Sequence, residues 1–242
     1  MVQRINSQNA KMTLGYWGIR GLGQPIRFLL ACAEVPFSEI RVGVLQDGTL
    51  LDENKEGDDW TQIKAELEMP FPNLPFLIDE GQQPVIRISQ SNAILRYLAR
   101  KFDLYGDSDL ERMEIDVLQD EAYDFRNSII DTAYTLGEGY AKVFEEFKAN
   151  ALPRHLDRFE QYLKNRTRQT YFVGSRLSLI DCLLYELVWQ MTLMVPGSVS
   201  QNSRPTLNAF LEAFEEIPQI KKYMQSDHYI KRPINSPWAS FA

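Results

Sequence analysis

Few side chains in this chain have the type and spacing that chemistry requires. Cys32 and Cys182 lie far apart and match no zinc or CxxC spacing, so they read as buried, reduced thiols. His155 and His228 are the two histidines, also distant from one another, which leaves a histidine-built zinc site or a His-based triad without support. Gly18, Gly21 and Gly23 stand in the wrong order for a dinucleotide fingerprint. What remains is a phenol, Tyr16, just before that Gly-rich turn, and the pair Gln90-Ser91 at the head of a helix. Unpaired amides and the helix dipole favour a carboxylate at such a helix start. Taken alone, Tyr16 and Trp17 are ordinary strand aromatics and Ser91 is a helix cap.

The elements that must position these residues follow from patterning. A strand is predicted over 13–17, then the Gly-rich turn, then a helix opened by Pro25 with Ile26, Leu29, Leu30 and Ala33 as its apolar stripe and Pro36 as its stop. A second strand covers 37–44, an acidic surface loop 46–59, and a short amphipathic helix 60–67. Strands at 76–79 and 85–88 form a hairpin, and a helix follows over 91–102. From Leu110 onward the pattern is helical, with breaks near Gly137, Pro153, Gly174, Pro196, Pro205 and Pro218. Ser178 and Asp181 form a capping box for a helix over 179–195, apolar nearly all round and therefore central to its domain. The architecture is α/β followed by all-α: a flexible extension at 1–11, a βαβ-α-ββα domain at 12–102, a linker near 103–109 and a helical domain at 110–242.

Bulk properties narrow the function. The 242 residues are 44% apolar, and the net charge of −7 divides into −1 for residues 1–101 and −6 for 102–242. An acidic chain without a Lys/Arg block is a poor nucleic-acid binder. The first eleven residues lack the apolar core of a secretory signal, and no stretch approaches the ~18 apolar residues of a membrane span. A cytoplasmic protein with no nucleic-acid or membrane partner is expected.

The order βαβ-ββα, with a proline opening its third strand, is thioredoxin-like, but no CxxC is present. Three motifs carry a closer resemblance: Gly15-Tyr16-Trp17-x-Ile19-Arg20-Gly21-Leu22-x-x-Pro25-Ile26-Arg27, then Phe71-Pro72-Asn73-Leu74-Pro75, then Gln90-Ser91-Asn92-Ala93-Ile94-x-Arg96-Tyr97-Leu98-Ala99-Arg100-Lys101. In this order, ahead of a helical domain, they resemble the mu class of cytosolic glutathione transferases. The similarity runs from Met12 to the C-terminus and is densest before residue 102. The Trp238-Ala239-Ser240 tail is similar to that of arthropod members, some of them allergens.

The resemblance implies an enzyme that joins the thiolate of reduced glutathione to small hydrophobic electrophiles in detoxification, with no metal and no covalently bound cofactor. Tyr16 would be catalytic, because a phenol hydrogen bond to the sulfur favours the thiolate, the nucleophilic form. The family has the Leu74–Pro75 peptide cis, with the Leu74 backbone pairing to the cysteinyl part of the ligand like an added strand. Gln90 and Ser91 would take the γ-glutamyl carboxylate, and Lys64 the glycyl one. Trp17, Trp60 and Asn73 line the rest of the site. Asp124 matches an acid that reaches across a homodimer to the ammonium group; a solvated acidic face is the alternative. Trp17, Leu22 and Tyr134 would border the electrophile, Tyr134 as a hydrogen-bond donor or else as a packing residue. Phe71 matches an aromatic inserted into the partner subunit, and Arg96 and Asp116 match interface charges.

Two departures stand out. The family carries an arginine three residues before the tryptophan matched by Trp60; here that position is Gly57, with Lys55 or Arg41 as possible substitutes. The loop from Arg41 to Trp60 is about five residues longer than the family pattern, and the hairpin is extended at 82–84. The rival functions are a non-catalytic ligand carrier on the same fold and a prostaglandin-isomerising transferase. Intact Tyr16 weighs against the first. The loop before Trp60 and the Tyr134 match weigh against the second.

Overall fold

The computed structural model describes residues 2–5, 9–43, 59–166 and 170–242. Among the described residues the sheet has five strands in the order β1-β3-β2-β4-β5: β1 Val2–Ile5, β2 Met12–Trp17, β3 Phe37–Val42, β4 Phe76–Asp79 and β5 Ile86–Ser89. β2 and β3 run parallel; every other pair is antiparallel. The parallel pair needs a crossover, which α1 (Gln24–Cys32) supplies. Pro25 sits in its first turn, where a missing N–H costs nothing, and Ile26, Phe28, Leu29 and Leu30 are buried. The chain leaves the helix through Glu34, at φ 52°, before Pro36.

β1 corrects the expectation of a flexible 1–11 extension. Val2–Ile5 adds an edge strand to β3 in antiparallel register, Val2 opposite Val42 and Ile5 opposite Glu39. The polar composition of the extension concealed this, since an edge strand takes most of its stabilisation from main-chain pairing, which composition does not report.

α2 is Asp59–Glu66 and α3 is Ser91–Lys101. The helical half comprises α4 Asp109–Ala133, α5 Gly139–Glu146, α6 Leu152–Lys164, α7 Leu179–Met194, α8 Pro205–Glu215 and α9 Pro218–Met224. The predicted break at Pro153 is not a break. A π-helical turn at Phe147–Ala151 joins α5 to α6, and Pro153 falls in the first turn of α6, so its missing amide is absorbed without ending the helix. The capping box is present: Ser178 N donates to Asp181 Oδ2 at 2.8 Å, with Ser178 Oγ 2.9 Å from the same oxygen. α7 is buried along nearly its whole length. The main hydrophobic core runs without interruption from β2, α1 and α3 into α4, α6, α7 and α8. At its centre Phe28 of α1 meets Tyr185, Phe214 and Tyr223 edge-on, with ring centroids 5.3, 5.5 and 5.7 Å away.

Candidate active site

Tyr16 sits at the C-terminal end of β2, beside Arg41 in the parallel register, and is buried at 5% exposure. The Leu22 amide donates to its hydroxyl at 3.0 Å. With that lone pair engaged from the protein side, the phenol's own proton points away from the chain's donor and is available to another acceptor. Burial pushes the Tyr16 pKa above its ordinary value; the Leu22 amide and the charges of Arg126 and Arg27 offset only part of this. The group is therefore a neutral hydrogen-bond donor at neutral pH.

The ring explains two glycines of the turn. A Cβ on Gly21, itself at φ +37°, would stand 2.5 Å from the Tyr16 hydroxyl, and one on Gly23 would stand 2.6 Å from Cδ1 of the ring. The Gly-rich stretch is a close approach of backbone to phenol.

The turn is anchored to the helical half by Arg20, which is fully buried. Its guanidinium makes a two-point pair with Glu186 of α7, at 2.9 and 2.5 Å, and donates to the Ile230 carbonyl at 2.7 Å. It also lies 4.1 Å from the Trp189 ring centroid. The C-terminal segment closes over the same turn, the Arg20 and Gly21 amides donating to Pro233 and Ile234 carbonyls at 3.0 and 2.9 Å. Neither Arg20 nor Glu186 was assigned a role from sequence. One signal was present: Glu186 is a carboxylate in the middle of an otherwise apolar helix, and such a group demands a buried cation.

Opposite the turn, Gln90 holds a left-handed φ of 71° at the start of α3, and its side chain does not cap that helix. The buried Ser91 lines a cleft with Gly21, Leu22, Tyr123, Arg126 and Gln190. Strain and an uncapped helix start coincide here, as they do at anion sites. The Leu74–Pro75 peptide is cis. The Leu74 amide is already engaged, donating to Asn73 Oδ1 at 2.9 Å, so a strand-like ligand would exchange with Asn73 there. Trp17 and Trp60 pack on the small cluster around Tyr16, Leu74 and Phe76; Trp60 stacks on Phe76 at 6.4 Å. Lys64 is exposed on α2.

Tyr134 ends α4 at 40% exposure, and its hydroxyl accepts from the Ser236 amide at 3.0 Å, again leaving its proton free to donate. Asp124 is exposed on α4 beside the cleft residues Tyr123 and Arg126. Arg96 pairs with Asp116 within the chain, Nε to Oδ1 at 3.0 Å, and Tyr105 donates to the same oxygen at 2.6 Å. Arg41 is not available as a substitute cation: it is committed to Glu39 at 2.9 Å and to the His228 carbonyl at 2.7 Å. Glu39 is in turn held by Arg27 at 2.5 Å, so the triad is a buried structural network. Lys55 and Gly57 lie outside the described residues. Phe71 is 84% exposed, at φ 51°, and Leu110, Met113 and Val117 form an exposed apolar stripe on α4. Among the described residues no group of three or more His, Cys, Asp or Glu side chains could hold a metal, and no helix is long and apolar enough to cross a membrane.

Comparison with known proteins adds the decisive observation. Residues 12–100 match the glutathione S-transferase N-terminal domain and residues 123–227 the glutathione S-transferase C-terminal domain. The chain belongs to the glutathione S-transferase family. It is 34% identical to human glutathione S-transferase Mu 3 over 235 residues, 97% of each chain. It is 35% identical to rabbit glutathione S-transferase Mu 1, covering 92% of this chain and 94% of that one. A solved Pi-class glutathione S-transferase from Onchocerca volvulus superposes with a TM-score of 0.75 at 27% identity, covering 95% of this chain and 99% of its own. Within this glutathione S-transferase, the cleft between the Gly-rich turn, the start of α3 and the middle of α4 is lined by Leu22 and Ser91, two of the residues singled out from sequence.

Proposed function

We propose that this protein conjugates the thiolate of reduced glutathione to small hydrophobic electrophiles, with Tyr16 donating its hydroxyl hydrogen to the sulfur. The observation that carries this is the Tyr16 hydroxyl itself, buried, neutral, and with its acceptor side taken by the Leu22 amide. A neutral phenol so oriented stabilises a neighbouring thiolate, and the thiolate then attacks an electrophilic carbon. The uncapped start of α3, with Gln90 and Ser91, holds the γ-glutamyl carboxylate. Leu74, through its cis peptide with Pro75, and Asn73 meet the cysteinyl segment. Trp17, Trp60 and Lys64 border the glycyl end. Asp124 serves the ammonium group from the partner subunit, and Leu22 and Tyr134 face the electrophile.

The active form is a homodimer. An aromatic as exposed as Phe71 and the apolar Leu110/Met113/Val117 stripe both need cover, which a second copy supplies. The role is detoxification in the cytoplasm. Retention on immobilised glutathione together with conjugation of an aryl halide is the expected result. Retention without turnover would mean a ligand carrier, and turnover confined to prostaglandin isomerisation would mean the other transferase type.

A further inference from the structure

Cys32 closes α1 and is half-buried; Cys182 lies in the first turn of α7 and is fully buried. One belongs to the sheet-bearing half and the other to the helical half, yet their sulfurs are in contact at 3.9 Å. The two helices that present them pack directly on one another through Phe28 and Tyr185, so the contact is set by the core and not by loop tips. Neither sulfur takes part in the proposed conjugation. We propose that Cys32 and Cys182 form a redox pair that a hydroperoxide closes into a disulfide between the two halves of the molecule.

The reaction balances as follows. The Cys32 sulfur, the more accessible, attacks the terminal oxygen of the hydroperoxide; the O–O bond breaks, and a sulfenic acid and water (or an alcohol) result. The Cys182 thiol then attacks the Cys32 sulfur, the S–O bond breaks, and the displaced hydroxide leaves as water with the Cys182 proton. The peroxide takes two electrons and the two thiols lose two. Burial and the adjacent Cys32 sulfur push the Cys182 thiol well above the ordinary range, so the first attack falls to Cys32. A disulfide needs the sulfurs at about 2.05 Å, so closure from 3.9 Å asks for about 2 Å of approach. The bond would tie the helix that follows the Gly-rich turn to the helix that carries Glu186, clamping two walls of the cleft.

The test uses the full-length protein, reduced and then treated with hydrogen peroxide. Because the chain has two cysteines in all, an intact-mass loss of about 2 Da with both thiols blocked to maleimide identifies this bond, and dithiothreitol should reverse it. The unfolding midpoint of the oxidised form should rise by about 10 °C, since the link restrains a long loop of the unfolded chain. Cys32→Ser should abolish the mass change. Cys182→Ala should stop the reaction at a Cys32 sulfenic acid that dimedone traps. If that variant does not fold, wild type and Cys32→Ser still decide. A gain of two oxygens on Cys32, a cross-link between chains, or an oxidised form that melts lower would each overturn the proposal.

Discussion

Replacing Tyr16 by Phe removes one oxygen and keeps the ring that Gly21 and Gly23 were shaped to accept. A hydrogen bond to a charged acceptor contributes about 1.5–3 kcal/mol. At about 1.4 kcal/mol per pKa unit, its loss should raise the pKa of the bound glutathione thiol by ~1–2 units. Below that pKa the thiolate fraction, and with it kcat/KM, should fall by ~10- to 150-fold. The same deletion strands the Leu22 amide, now without the acceptor 3.0 Å away, which should cost about 1 kcal/mol of stability and lower Tm by ~2–4 °C. The assay is kcat/KM against pH with one aryl halide, joined to an ultraviolet titration of the bound thiol. The acid limb of the profile should move up by the same amount as the titration. The wild-type profile should show no loss from phenol ionisation below about pH 10, since burial holds the Tyr16 pKa above its ordinary value. An acid limb that stays put in the Phe variant would show that another group ionises the thiol.

Three further outcomes are expected. Tyr134→Phe should slow epoxide and enone conjugation by ~10-fold while sparing aryl-halide turnover, because only the first two develop oxygen charge near the reacting carbon; equal losses on all substrates would mark Tyr134 as packing. Glu186→Gln should leave the Arg20 guanidinium buried without its charge partner and destabilise the fold by about 3–5 kcal/mol, seen as a denaturant midpoint shift at unchanged m-value; a neutral result would mean that the Ile230 carbonyl and the Trp189 ring suffice for Arg20. Phe71→Ser should weaken self-association by about 2–3 kcal/mol for each exposed ring that a partner covers, measured by sedimentation; an unchanged dimer would place the interface elsewhere.

Much of this molecule was written in local signals. Pro25 marked the start of α1, the Phe76–Asp79 strand was read residue for residue, and the Ser178/Asp181 box marked the start of α7, because each depends on neighbours within one turn or one strand. The Gly-rich motif after Tyr16 was plain in the sequence as well. The reason for its glycines came only from the fold, where the Tyr16 hydroxyl falls on the space a Gly21 side chain would need. Arg41, a candidate cation in the sequence, proved to be held by Glu39, a carboxylate shared with Arg27 from the neighbouring helix. Val2–Ile5 became a strand through hydrogen bonds to β3 that its own composition does not encode. The deepest gap is between residues far apart in the chain. Arg20 finds Glu186 166 positions away, and Cys32 finds Cys182 150 positions away. Local periodicity carries no information about which helix packs on which; the burial of α7 against α1 decided both pairings, and with them what holds the Gly-rich turn in place.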